Sequence, residues 1–395
     1  MPAHGTVQPG FEAVRDAFAD AQSRDEGGAQ LCVYRHGKVV VDIWAGTDKL
    51  KNRPYTADTI TILMSCTKAV AAISLHMLAE RGLINYDAPV ARYWPEFAAN
   101  DKDAITVRDL LTHRAGLMGF DPEAGITARA LFDWNRCTTA LAGMRPWWKP
   151  GTAYAYHALT FGYLIGELVR RVSGQTVGQF VAREIAGPLK LDLWIGLPPE
   201  QEHRVAPHIP APQLTEEQGR ALFSSLGIDL NDRAVRGALG IIAIMGEGLN
   251  VLNTPEAHAV ELPFGNGLAN ARALAKMYAA CIGEIDGIRL LTPATVDRVR
   301  SSQDEGLTAP APLLPLAGPN PQRFGLGFEL PRPIGPMLGD GCFGHGGAGG
   351  RMGFAHPESG TAVAYVCNNM VWDGFTSPDE RWLGWTKELH MALGV

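Results

Sequence analysis

The apolar positions of this chain fall into two periods, and the order in which the periods alternate gives a first outline of the fold. Between Gly10 and Gln22, Phe11, Val14, Ala17, Phe18 and Ala21 recur at helical spacing, which predicts a helix. Two β-rich runs follow, Leu31–Tyr34 and Val39–Trp44. The Arg35-His-Gly-Lys38 segment between them makes the pair a hairpin signature. Thr59–Met64 reads as an extended lead into Ser65. From Cys66 to Arg81 good helix formers dominate until Gly82 stops them.

Helical patterns prevail from about Asp87 to Gly287, with Thr106–His113, Phe161–Val172 and Ala269–Ile282 as the clearest segments. Within this region residues 197–262 read as irregular, broken by Pro198-Pro199 and Pro210-Ala-Pro212. Such a stretch is either a lid or pocket wall, or a variable insertion. Ala309–Pro321 reads as a Pro-rich surface connection. Strand patterns then return at Arg323–Leu330, Met352–His356 and Thr361–Cys367, the last two joined by the turn Pro357-Glu-Ser-Gly360. An amphipathic helix over Asp379–Leu393 closes the chain. Strands at both ends with helices between them predict an α+β fold. Residues 1–86 and 288–395 would form one antiparallel sheet flanked by helices, and residues 87–287 a mostly helical inserted region.

Composition narrows the function. The 395 residues are 46% hydrophobic and 19% charged, a core-forming balance. A net charge of -6 with no run of Lys and Arg argues against nucleic acid as a partner. The six cysteines (32, 66, 137, 281, 342 and 367) contain no C-x-x-C pair, so neither a zinc ribbon nor a redox motif is expected. The eleven histidines include no H-E-x-x-H and no ligand spacing, so no metal is expected. Met1–Gly10 lacks a cationic segment followed by an apolar one. The most apolar window, Gly237–Met245, is too short to cross a bilayer. The expectation is a cytoplasmic chain with no membrane partner; the sequence leaves its oligomeric state open.

The chemistry centres on Ser65-Cys-Thr-Lys68. At i and i+3 the two side chains share a helical face. A neutral lysine amine can take the serine proton, provided burial or nearby positive charge depresses its pKa. Ser65 would also sit at a helix N-terminus, where free N–H groups favour developing negative charge. The pattern alone is weak, since S-x-x-K arises about once by chance in a chain of this length. Its context is more specific. Trp147-Trp-Lys-Pro-Gly-Thr152 precedes Ala153-Tyr-Ala-Tyr156, and Phe343-Gly-His-Gly-Gly-Ala-Gly-Gly350 runs into a strand. Together with Ile105–Leu117 and Asn266–Arg272, these segments resemble the serine β-lactamase and penicillin-binding-protein superfamily. The nearest branch is the class C-like esterases called family VIII carboxylesterases, and the similarity spans residues 10–390.

That resemblance implies a β-lactamase-like fold in one catalytic domain, with Ser65 as acylated nucleophile and Lys68 as its base partner. Tyr156 matches the tyrosine of the second motif. A phenol beside an ammonium ionises more easily and can shuttle a proton. The third motif falls on His345-Gly346-Gly347, and Ala348 would donate its N–H to the oxyanion together with Ser65. Gly346 and Gly347 would let the acyl group approach the backbone, while His345 would touch substrate or Tyr156, or be purely structural. Tyr156-His157-Ala158 stands where lactamases carry Tyr-x-Asn, so the amide side chain is missing and His157 is left as a substrate contact, and no cation stands at 345 unless His345 is protonated. Both departures favour simple esters over β-lactams or peptides. The implied activity is hydrolysis of small-to-medium esters through an acyl-enzyme, without cofactor. Acyl transfer at the same site, β-lactamase or D-peptidase activity, and an inactive penicillin-recognising relative are the alternatives.

Other readings fare worse. Gly344-x-Gly346-x-x-Gly349 mimics a dinucleotide fingerprint but leads into a strand. No G-x-S-x-G elbow is present. Cys66 reads as a packed thiol, and Asp109 with His113 as a structural helix end.

Overall fold

In the computed structural model, which describes residues 2–212, 214–372 and 377–395, both chain ends feed one sheet. Its strands are β1 (His4–Val7), β2 (Gly28–Arg35), β3 (Lys38–Asp48), β4 (Arg53–Pro54), β8 (Phe343–Gly347), β9 (Arg351–His356) and β10 (Thr361–Cys367). Three short strands, β5 (Thr61–Ile62), β6 (Leu193–Trp194) and β7 (Leu268–Ala269), form a second sheet. The large sheet is antiparallel in the order β1-β3-β2-β10-β9-β8, with β4 on β3. The N-terminal hairpin thus pairs with the C-terminal strands through β2 and β10, Val33 opposite Val363.

Both faces of that sheet are covered, which is why β2, β9 and β10 are buried almost throughout. Leu31, Val33, Val363 and Tyr365 face a layer built from the terminal helices, Glu12–Ser23 and Glu380–Leu393, through Phe18, Trp382 and Trp385. Cys32, Tyr34, Ala362 and Ala364 point the other way, into the main core with helices Thr67–Glu80 and Ala271–Ile282. Close approach on this side needs small residues: a Cβ on Gly353 would lie 2.7 Å from the Tyr278 ring. Helix Thr67–Glu80 is apolar on every side and buried along nearly its whole length, as expected for a helix enclosed by core.

Two expectations fail. Residues 197–262 are not irregular, because they carry helices Glu216–Ser225, Arg233–Leu252 and Pro255–Ala259. The apolar window read as Gly237–Met245 is the middle of a 20-residue helix, long and apolar enough to cross a membrane by length and composition. In the fold one face of it lies on Trp147: a Cβ on Gly237 would come within 2.0 Å of that ring, and Arg233 pairs with Asp121 at 2.5 Å. Nor is Arg323–Leu330 a strand. A Cβ on Gly325 would lie 2.0 Å from the Val299 carbonyl oxygen and Gly327 has φ +86°, so the chain turns there. Only isolated bridges remain, Phe324 to Glu329 and Glu329 to Gly344.

Candidate active site

Ser65 lies in a 3-10 turn, Met64–Cys66, that opens directly into helix Thr67–Glu80. Met64 before it has φ +49°, a left-handed conformation that a non-glycine residue rarely adopts. The turn is fixed from three directions. Leu63 N–H donates to the Gly267 carbonyl at 2.7 Å. Gly267 N–H donates to Thr67 Oγ1 at 3.0 Å, and that hydroxyl donates to the Met64 carbonyl at 2.7 Å. On the third side β8 lies flat against the turn: Cys66 Sγ donates to the His345 carbonyl at 3.1 Å, and a Cβ on Gly347 would be 2.4 Å from the Leu63 carbonyl.

Lys68 Nζ stands 3.0 Å from Ser65 Oγ and 2.7 Å from the Phe264 carbonyl. The lysine is 1% exposed. Burial pulls its pKa down to about 7, although Glu329 and Cys66 pull the other way. The Phe264 carbonyl reaches the amine through two arrangements distant in sequence. Gly162 leaves room for the Phe264 backbone, since a Cβ there would be 2.2 Å from Phe264 N. Asn266 folds the preceding loop by accepting from Leu262 N and donating to the Ala257 and Val260 carbonyls, at 2.7 to 2.8 Å.

The Tyr156 ring lies 4.9 Å from Lys68 Nζ. Its neighbour Tyr154 turns away and donates to the Gln322 carbonyl at 3.0 Å. The Tyr156 hydroxyl is buried with no hydrogen-bond partner among the described residues. Ser65 and the Arg332 charge act to lower its pKa. Burial and the Glu329 charge outweigh that and hold the phenol well above its ordinary value. Burial thus works against ionisation of Tyr156, while the same burial eases discharge of Lys68.

The third segment is also rearranged. His345 is 2% exposed, its Nδ1 lies 2.6 Å from the Gly346 carbonyl and 3.6 Å from Glu329, and burial lowers its pKa. It is a buried ring beside Tyr156, with centroids 6.0 Å apart, and the Glu329 charge opposes the lowering of its pKa by burial. Gly347 lies against the nucleophile turn. The N–H of Gly346 is already taken by Glu329 Oε2 at 2.7 Å. His157 is a correction: its Nε2 accepts from Leu117 N at 3.1 Å and its Nδ1 donates to the Ala155 carbonyl at 2.6 Å. With both ring nitrogens on backbone it buttresses the wall instead of meeting substrate. His113, with φ +60° at its helix end, accepts from His157 N at 3.1 Å and packs edge-on to Tyr156. For the N–H groups of Ser65 and Ala348 no acceptor is found among the described residues, the condition an oxyanion hole requires.

Sequence reading missed Glu329 and Arg351. Arg351 is fully buried and has no carboxylate partner among the described residues; it donates to the Ile62 carbonyl at 3.1 Å and the Ala348 carbonyl at 2.7 Å, tying the lead into the nucleophile to the turn after β8. Its place one residue beyond Gly-Gly350 was the available signal.

A family model described as Beta-lactamase matches residues 14–383. The chain belongs to that family. Among curated relatives it is 38% identical over 375 residues to the Esterase/beta-lactamase LipL of Mycobacterium tuberculosis (strain ATCC 25618 / H37Rv), covering 93% of this chain and 83% of that one. A solved family VIII carboxylesterase superposes with TM-score 0.82 at 31% identity, over 99% of this chain and 100% of that one. A penicillin-binding-protein homologue from Caulobacter crescentus superposes with TM-score 0.83 at 33% identity, over 99% and 100%. The β-lactamase-like fold expected from the sequence is therefore the fold of this beta-lactamase-family hydrolase.

Proposed function

We propose that this chain is a serine carboxylesterase working through an acyl-enzyme on Ser65. The observation that carries the reading is the buried Lys68 amine, 3.0 Å from Ser65 Oγ with its pKa near 7, which can be neutral when substrate arrives. Ser65 Oγ attacks the ester carbonyl as its proton passes to Lys68 Nζ. The tetrahedral oxyanion is held by the N–H groups of Ser65 and Ala348. Collapse breaks the bond to the alcohol oxygen, which takes a proton from the Tyr156 phenol; Lys68 returns its proton to Tyr156. Water then attacks the acyl-enzyme by the same proton path and releases the acid and Ser65. Small-to-medium acyl esters suit a site without a fixed cation at 345.

Turnover of p-nitrophenyl butyrate by wild type and by Ser65→Ala, with nitrocefin in parallel, tests the reading. Wild type should be active and Ser65→Ala at least about 10⁴-fold slower. Turnover that survives in Ser65→Ala would refute it, and nitrocefin hydrolysis faster than ester hydrolysis would move the chain to the β-lactamase alternative. Product analysis with added alcohols distinguishes hydrolysis from acyl transfer.

A further inference from the structure

In an antiparallel strand alternate residues turn their N–H groups to the same edge. On β8 the edge away from β9 carries the N–H of Gly344 and then of Gly346, and Ala348 is next in that alternation. Gly344 N–H donates to the Glu329 carbonyl at 3.1 Å, and Gly346 N–H donates to the Glu329 carboxylate at 2.7 Å. Ala348 N–H is the group left for the oxyanion. A carboxylate of the protein's own thus occupies the position along the edge immediately before the oxyanion hole.

Glu329 is built in rather than incidental. Its side chain is 13% exposed. Gln322 Nε2 donates to its other oxygen at 2.9 Å, and it is faced by His345 from β8, by Arg332 from its own segment, and by Lys68 and Tyr156 from the catalytic side. Burial alone would push its pKa up, but His345, Arg332 and the two hydrogen bonds leave it below the ordinary glutamate value, so it is an anion at neutral pH. It lines a narrow cleft with Arg332, Gly346, Met352, Trp372 and Trp382.

We propose that Glu329 is a specificity-determining residue, an internal anion beside the reaction centre that selects against esters bearing a negative charge and toward neutral and cationic ones. The proposal rests on the esterase reading above. One charge at about 6–8 Å in partly buried surroundings is worth a factor of about 10–100 in kcat/KM.

The test is a charge series with one acyl group: phenyl butyrate, 3-carboxyphenyl butyrate and 3-(trimethylammonio)phenyl butyrate. The acyl side is probed with p-nitrophenyl hydrogen succinate against p-nitrophenyl butyrate. Wild type should favour the neutral over the anionic member of at least one pair by tenfold or more, with the cationic ester at least equal to the neutral one. Glu329→Gln, which keeps an acceptor for Gly346, should shrink that preference at least fivefold, while Glu329→Asp should retain it. Arg332→Gln, removing a nearby cation, should enlarge it. Ratios within one enzyme cancel any general loss of rate, and the wild-type series stands if Glu329→Gln does not fold. Equal wild-type turnover of anionic and neutral esters, or an unchanged ratio in Glu329→Gln, would overturn the proposal. Failure of the esterase reading looks different: no member of the series would be hydrolysed, or all would survive Ser65→Ala.

Discussion

Lys68 and Lys102 are both buried, at 1% and 0% exposure, and burial lowers both pKa values, to about 7 and about 8. They differ in what receives their protons. Lys102 Nζ donates to three carbonyls, those of Ala99, Ala142 and Met144, at 2.6, 2.9 and 2.5 Å. Carbonyls only accept, so all three favour the ammonium, and the side chain acts as a clamp between two loops. Lys68 meets one carbonyl and one hydroxyl. The hydroxyl can donate as well as accept, so a neutral amine there keeps its bond to Phe264 while taking the Ser65 proton. Burial makes a lysine easier to discharge; a partner with a proton to give makes it a base.

Three measurements would break or sharpen this contrast. Lys68→Met should lower kcat/KM for p-nitrophenyl butyrate by about 10⁴ with no loss of Tm, since methionine fills the volume without a charge to desolvate; activity within tenfold of wild type would remove Lys68 from the proton path. Lys102→Met should leave three carbonyls unpaired and cost about 3 kcal/mol in urea unfolding, with kcat/KM per folded site within about twofold of wild type. A parallel loss of activity would erase the distinction between clamp and base. The smallest effect is the pH profile. The neutral amine is the active form and its pKa is depressed from 10.5 to about 7. Hence kcat/KM should rise about tenfold per pH unit below 7 and level off above it, in Lys102→Met as in wild type. A limb near pH 10 would show that Lys68 is not the titrating group.

Local signals carried the parts of the fold and site that depend on neighbours in sequence. The period-two runs of β2, β3 and β10, the helix after Ser65 and the i, i+3 placement of Lys68 were legible because sterics and spacing set them within a few residues. Helix Arg233–Leu252 was not, because Gly237, Gly240, Gly246 and Gly248 lower its propensity, and the reason for Gly237 lies in Trp147, far away in sequence. In 323–330 the alternation of Phe324, Leu326, Phe328 and Leu330 imitates a strand, while the intervening glycines make a turn. The Phe264 carbonyl, Glu329 and Arg351 reach the site through tertiary contacts alone. Of the three, only Arg351 carries a local signal, its place directly after Gly349-Gly350.

Position 64 shows how little latitude the nucleophile turn has. The backbone there, at φ +49°, would be adopted most cheaply by glycine. The side chain is nonetheless seated among Ile60, Ile62, Leu197, Leu268 and Met370 in a small apolar cluster beneath the site. Glycine would relax the main chain and open a hole; a β-branched residue would fill the hole and worsen the main chain. Variation at this position is squeezed from both sides, so the residue before Ser65 can drift only among unbranched side chains of about methionine's size.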